Sequence, residues 1–306
     1  MKLAITGASG ELGRKVTALL IAAGHAKDLI LITRNPASLA EAAAAGATVR
    51  PGDYNDPAGL EQSLAGAERL LLISGLAIGR RRVQHREAIA AAKRAGVKHV
   101  VYTSSAGLLP KSPSLAVHDH HTTECDLFAS GLAYTILRNS QYAEVIANML
   151  APMAAEQGAM VMSTGEGRIC FVSKDDCAAA AAAVLTGEGH EGAIYEISGP
   201  EFSSFREAAA LAAEFSGRPV EYRLCTTEEK LAIWDAMGVP RDYIDGMFNE
   251  GTGAWCSNEM ITYEMAIRDG YFAVCSGHVE LLTGRKPKTL RQVFEENAAG
   301  FARFKS

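Results

Sequence analysis

A doubly wound α/β fold, a parallel sheet covered by helices on both faces, is what the sequence predicts. Three observations predict it. The chain opens on a strand, a glycine turn and a helix: residues 2–6 (KLAIT) read as a short buried strand, Gly7, Gly10 and Gly13 follow, and Leu12, Val16, Leu19, Leu20 and Ala23 recur at helical spacing. Short segments such as residues 29–33 (LILIT) are apolar throughout, as strands buried on both faces must be. Strand and helix then alternate six times, with short connections, as far as Tyr142.

The three glycines have separate physical tasks. Gly7 allows the sharp turn off the strand, Gly10 has no Cβ and lets a pyrophosphate reach the backbone, and Gly13 lets the helix pack close to the strand. The helix start, Glu11 and Leu12 included, offers unpaired N–H groups and a positive dipole end to phosphates. Strand, turn and helix together read as a dinucleotide-binding unit of the Rossmann type.

The second strand, 29–33, ends at the position that selects the cofactor. An NAD-binding unit usually places an acidic residue here, about 20 residues past the glycines, for the ribose 2′-hydroxyl. This chain has Arg34, which would pair with a 2′-phosphate, with Arg14 and Asn35 as candidate helpers. NADPH is therefore the expected cofactor. A helix over 36–45 follows, begun by Pro36 and stopped by Gly46. Past a third strand at 47–50, Asp53 is the candidate acceptor for the adenine amino group, and Asp56 reads as an N-cap.

Strand four, 70–73, carries Ser74 and Gly75 at its carboxyl end, where ligands of an open parallel sheet lie. A helix over 83–95 presents Val83, Ile89, Ala90 and Ala92. Strand five, 97–103, holds Tyr102 in the core and leads to Ser104 and Ser105. A helix at 118–130 and strand six at 134–137 complete the regular part. Beyond Tyr142 the pattern loosens: a helix to Met149, strand pieces at 160–162 and 169–172, a helix at 175–185, a candidate seventh strand at 193–197, a helix at 204–216, a strand at 220–224 and helices at 226–237 and 289–299, with breaks at 251–254 and 275–278. The division expected is a cofactor-binding core at 1–142 and a smaller C-terminal substrate-binding region at 143–306, with segments near 168–200 returning to the core.

Composition narrows the function. A net charge of −5 in 306 residues gives nucleic acid no purchase, and the run 80–82 (three arginines) reads as a solvated loop. Strand one begins at residue 2, leaving no room for a signal peptide, and no apolar stretch approaches the ~20 residues a bilayer requires. Six scattered cysteines without a C-x-x-C pair indicate reduced thiols. His118, Asp119 and His121 lie too close together to wrap one ion, so no metal is expected. A cytoplasmic protein acting on a small molecule is the expectation, with a homodimer as the candidate assembly.

In their order and spacing, ITGASGELG, ITRNP, GDYNDPAGL, LLLISG, AAKRAGVKHVVYTSS, HHTTE, YTILRNSQY and FVSKDDCAAAAAAVL resemble the NmrA-like branch of the atypical short-chain dehydrogenases/reductases. Within it, the likeness is to NAD(P)H quinone oxidoreductases and triphenylmethane reductase; it fades after Leu224. The resemblance implies NADPH bound through Gly7, Gly10, Gly13, Arg34 and Asp53, with the nicotinamide near Ser74, Gly75, Ser104, Asn139 and Tyr142. Extended members use a Tyr-x-x-x-Lys pair. Aligned on Glu124, this chain has Ala116 and His120 in those places, so the pair is absent.

Two roles are open to His120. One turn from Glu124 on a helix, it could be oriented by that carboxylate and give a proton near neutral pH, or it could contact ribose and pack on the sheet. Ser104 is the candidate donor to a substrate carbonyl, and Tyr142 is either a phenolic donor or a pocket wall. Met149, Met153, Trp234, Met237, Phe248 and Trp255 are soft, large side chains suited to a pocket and equally to a core. Without the tyrosine–lysine pair, the fitting acceptors need little acid: quinones, dyes, enones and aromatic carbonyls. The expected function is an NADPH-dependent reductase of such acceptors. The alternative is an NADP(H)-sensing regulator without turnover. A reductase of lignan-like benzylic ethers fits less well, because those relatives usually keep a lysine near His120.

Overall fold

Buried apolar strands dictate the architecture. The computed structural model describes residues 1–244 and 256–304. Its strands are β1 (Leu3–Thr6), β2 (Leu29–Thr33), β3 (Thr48–Pro51), β4 (Arg69–Leu72), β5 (His99–Ser105), β6 (Ala133–Asn139), β7 (Ala159–Met162), β8 (Arg168–Ile169), β9 (Ile194–Ile197), β10 (Ser203–Ser204) and β11 (Glu221–Leu224). Seven of them form one sheet in the order β3-β2-β1-β4-β5-β6-β9, every pair parallel. The order reverses between β1 and β4, which opens a crevice at their carboxyl ends.

Alternate residues of each strand face opposite layers. Leu3, Ile5, Leu29 and Leu31 pack under α1 (Glu11–Ala22) and the later α8 (Lys174–Thr186). Ala4, Ile30, Ile32, Leu70 and Leu72 pack under α3 (Pro57–Leu64), α4 (Arg81–Arg94) and α5 (Leu115–Ser130). The helix expected at 36–45 divides into a 3₁₀ turn, Pro36–Leu39, and the short α2 (Ala40–Ala44). Of the face expected for α4, Ile89 and Ala92 are buried but Val83 is 60% exposed, and at that end Arg81, His85 and Ala88 are buried instead.

After β6 the chain forms α6 (Ala143–Val145), a π turn at Ile146–Leu150 and α7 (Ala151–Gln157), which carries the segment past the expected end at Met149. Two small ribbons flank the sheet: β7 pairs in parallel with β11, and β8 antiparallel with β10. The α9 helix (Phe205–Ser216) is capped by Ser204 and stopped by Gly217 at φ +69°, and α10 (Thr227–Ala236) is capped by Thr226. Both caps are reciprocal: the cap hydroxyl takes the third N–H, and the glutamate there returns to the cap backbone. The helices α11 (Ser257–Arg268) and α12 (His278–Thr283) were not anticipated, and α13 (Leu290–Glu296) ends early because a 3₁₀ segment, Ala298–Phe304, follows. Phe205, Phe272, Phe294 and Phe301 centre a second core beneath these elements. The expected break at 251–254 lies outside the described residues.

At Gly13 the helix α1 packs directly on the backbone of the glycine turn. A Cβ there would stand 2.5 Å from the Gly7 carbonyl oxygen and 2.7 Å from the Ala8 Cα, both backbone atoms. Neither can move without shifting β1 or α1. Gly13→Ala is expected to destabilise the fold by about 1–3 kcal/mol, as overpacking does. Chemical denaturation would read this as a lower midpoint with an unchanged slope; an unchanged midpoint would show that the turn yields.

Candidate active site

The glycine turn leaves β1 with Gly7 at φ +64°, and the Gly10 N–H donates to the Gly7 carbonyl at 3.0 Å. No side chain caps α1, whose N-cap is Gly10. A Cβ on Gly10 would meet only the Gly7 oxygen, at 3.2 Å, so the space outside it is open. An uncapped helix start beside a bare glycine fits a diphosphate. Arg14 donates from Nε to the Ser9 carbonyl and from Nη2 to the Ser38 carbonyl, each at 2.8 Å, and so ties the turn to the end of β2. Arg34, beyond β2, is exposed and pairs with no carboxylate among the described residues. Asp53 accepts the Asn55 N–H at 2.9 Å in a turn past β3. Tyr54, beside it, closes the crevice: its hydroxyl donates to the Ile73 carbonyl at 2.6 Å and lies 2.7 Å from Thr6 Oγ1.

At the carboxyl ends of β4 and β5, backbone groups select the side chains. The Ser74 N–H donates to Thr103 Oγ1 at 2.9 Å, and the Gly75 N–H to His85 Nε2 at 3.0 Å. His85 Nε2 is thus an acceptor, and its proton sits on Nδ1, 3.0 Å from Thr123 Oγ1. Thr123 in turn donates to the Asp119 carbonyl at 3.0 Å. The Tyr102 hydroxyl lies 2.7 Å from His120 Nδ1, and that hydrogen bond fixes the orientation of the imidazole ring. Burial drives the His85 pKa down to about 3, with Arg81 adding to the effect. Burial, then Arg81 and His85, holds His120 well below the ordinary imidazole range. Burial raises the Tyr102 phenol.

This arrangement corrects three expectations, on Glu124, Ser104 and the arginine run, and adds a role to Tyr102, which is core as expected. Glu124 does not orient His120. It accepts from Ser104 Oγ at 2.7 Å and from Arg138 Nε and Nη2 at 3.0 and 2.7 Å. Tyr102, expected only as core, is the residue that orients the imidazole. Ser104 gives its hydroxyl proton to Glu124, so it can accept from a ligand but is not the carbonyl donor expected. The arginine run is not a solvated loop at its centre: Arg81 is 5% exposed, its Nε donates to Asp119 at 3.1 Å and its Nη1 to the Gly75 carbonyl at 3.2 Å. Asp119 also receives the Gly79 N–H at 2.8 Å and Arg82 at 3.1 Å.

These groups border a cavity of about 390 Å³. Ser74, Ser104, His120, Asn139 and Tyr142 line its sheet end; Arg34 and Asp53 do not reach it. Tyr142 accepts from Asn139 Nδ2 at 3.3 Å, its ring lies 5.5 Å from Lys174 Nζ, and burial raises its phenol. Six methionines, Met149, Met153, Met160, Met162, Met237 and Met260, line the rest, with Trp234. Phe248 and Trp255 lie outside the described residues. Lys230 Nζ is 3.5 Å from Glu264 and 4.9 Å from the Trp234 ring centroid, and Glu264 also accepts the Ser163 N–H at 2.7 Å. Five buried polar atoms among the lining residues have no partner: Arg81 Nη2, Asn139 Oδ1, Ser140 Oγ, Gln141 Oε1 and Glu259 Oε2. Unpaired buried groups are costly, and here they belong to residues that line the cavity. A diphosphate at the glycine turn and a carboxamide-bearing ring at this end match what the residues offer.

Comparison with known proteins agrees. The family model described as NAD(P)H-binding matches residues 7–188, more than half of the 306. Quinone oxidoreductase 2 of Escherichia coli (strain K12) is 40% identical over 254 residues, covering 82% of this chain and 87% of its own. The structure of an Escherichia coli NADPH-dependent quinone oxidoreductase complexed with NADPH superposes with a TM-score of 0.86 at 36% identity, covering 96% of this chain and 99% of that one. Citrobacter sp. triphenylmethane reductase, complexed with NADP(H), gives 0.84 at 33% identity over 97% and 100%. The chain belongs to the NAD(P)H-binding family, in its NmrA-like branch.

A pH dependence of stability follows from His85. Its native pKa lies below the unfolded value, so the unfolded chain binds the proton first. The stability His85 confers is complete above pH ~6.5 and falls as pH drops toward 3, at up to about 1.4 kcal/mol per unit. Urea unfolding of the wild type and His85→Asn at pH 7.5 and 5.0 checks this: the wild type is expected to lose more between the two, and equal losses would count against a neutral buried imidazole.

Proposed function

We propose that this NAD(P)H-dependent oxidoreductase passes hydride from NADPH to a flat, conjugated acceptor of the quinone, dye, enone or aromatic-carbonyl class. The cavity carries this reading: an adaptable, methionine-lined space that opens on the carboxyl ends of β4 to β6, where an open parallel sheet presents its ligands. Gly7, Gly10, Glu11, Leu12 and Gly13 cradle the diphosphate, Arg34 pairs with the 2′-phosphate and Asp53 receives the adenine amino group. Ser74, Gly75, Ser104, His120 and Asn139 border the nicotinamide and its ribose. Bound NADPH supplies the hydride.

The chain's own contribution is position and dryness. His120 enters as a buried, neutral imidazole held by Tyr102, so it binds and does not act as an imidazolium acid. Ala116, in place of a tyrosine, gives up an acid and leaves room, since it too lines the cavity. Methionine sulfurs and the Trp234 ring contact π-faces without demanding one shape. A sensor of NADP(H) redox state would need no space beyond that for the cofactor, and the methionine-lined part of the cavity supports the reductase reading instead.

NADPH oxidation with a panel of quinones, cationic arylmethane dyes, enones and aromatic ketones tests the reading, with NADH alongside. Turnover with at least one class and a preference for NADPH are expected. Arg34→Ala should raise KM for NADPH about tenfold or more and leave that for NADH nearly unchanged, as loss of a charged hydrogen bond predicts. Silence across the panel, with NADPH binding intact by fluorescence, would transfer the reading to the sensor.

A further inference from the structure

One polar group of the cavity has no place in the account above. Glu259 is on α11, in the part of the chain that the sequence motifs do not reach, and its side chain lines the cavity. Its Oε2 is buried without a hydrogen-bond partner. The other ionisable side chains of the cavity wall are already held. Arg81 on α4 is paired with Asp119 on α5, Lys230 on α10 with Glu264 one turn along α11, and His120 on α5 with Tyr102. Tyr263 on α11 keeps its phenol protonated through burial. Glu259 is the one acidic group in this wall whose buried oxygen faces no protein donor among the described residues.

We propose that Glu259 is the proton donor to the reduced acceptor, an inference that rests on the reductase reading. For a quinone or azo-type acceptor, hydride from the reduced nicotinamide brings two electrons and one hydrogen. The second hydrogen is a proton. It leaves the Glu259 carboxyl as that O–H bond breaks, and a new O–H or N–H bond forms on the acceptor. The carboxylate that remains takes a proton from water at the cavity mouth. The nicotinamide is oxidised, the acceptor is reduced by two electrons, and the glutamate returns to its starting state.

The surroundings suit a neutral acid. Burial raises the Glu259 pKa to about 7, Asp119 adds to the rise, and Arg81 opposes it. A general acid works best when its pKa lies near the working pH. The tyrosine–lysine pair that elsewhere supplies this proton is replaced here by Ala116 and His120, and His120 is buried neutral. A carboxyl from α11 can supply that proton in place of the pair.

Glu259→Gln preserves shape and removes the proton. Its folding and NADPH affinity are checked first by thermal melting and by nicotinamide fluorescence; Glu259→Asp is the second variant, expected to restore part of the rate. With a neutral quinone, kcat of the wild type should fall as pH rises through about 7, where the acid form is lost. Glu259→Gln should lower kcat by about a hundredfold and abolish that alkaline limb. A cationic triarylmethane dye provides the contrast, because hydride alone completes its reduction and kcat should then depend far less on residue 259. Quinone kcat and its alkaline limb unchanged in Glu259→Gln would overturn the proton-donor role while the reductase reading stands. An equal loss on quinone and dye would also overturn it, assigning Glu259 to binding. A wild type that oxidises NADPH with neither acceptor would overturn both.

Discussion

The carboxyl edge of a buried parallel sheet presents backbone groups that no neighbouring strand can satisfy, and this site is built from the side chains that satisfy them. Between β1 and β4 the chain leaves in opposite directions, so the gap is widest there. Tyr54 bridges it by bonding both the Ile73 carbonyl and Thr6. Thr103 takes the Ser74 N–H and His85 takes the Gly75 N–H. The second of these has long reach. An N–H cannot accept, so it fixes His85 Nε2 as the acceptor and turns Nδ1 toward Thr123 and Tyr102, and Tyr102 in turn holds His120.

Charge is handled by pairing close to where it enters the core. Arg81 and Arg82 share Asp119, and Glu124 is locked between Ser104 and Arg138. Removing one partner of such a buried pair leaves the other uncompensated, at a cost of about 3–5 kcal/mol. The pairs are less a source of net stability than a means of fixing the 75–82 loop and α5 against the sheet. With those charges neutralised, the protonation state of the cavity is left to groups that are not paired.

The cofactor half was largely legible in the sequence because local signals and tertiary role coincide there. Gly13 is a glycine for the reason a glycine is expected: backbone lies 2.5 Å from where a Cβ would be. Asp56 caps the helix that follows it, as its place before Pro57 predicts. The nicotinamide end was less legible. Arginine runs are usually solvated, and nothing local marks Arg81 as the one that pairs with an aspartate 38 positions away. The buried face of α4 begins with Arg81 and His85, so an apolar criterion found Ile89 and Ala92 further along it but chose Val83 at its start. Glu124 and His120 are one turn apart, as spacing requires, yet each is claimed by a residue of another strand, Arg138 and Tyr102. One helix's periodicity cannot show such competition. The α11 helix escaped notice because residues that face a cavity have no need to be apolar, and Glu259 and Glu264 interrupt its pattern.

The two walls of the cavity therefore differ in what they can tolerate. The sheet wall is a network in which each hydrogen bond fixes the next, and Ser74, Ser104 and His120 have little freedom to accommodate a new ligand. The opposite wall is made of methionines and of α10 and α11, whose polar anchor is the Lys230–Glu264 pair. Methionine adapts because it is unbranched and polarizable, so this wall can change acceptor with few substitutions. A family that keeps one cofactor and varies its acceptors needs that asymmetry: the rigid wall must hold a ring whose reacting carbon is always the same, and the soft wall must receive rings that are not.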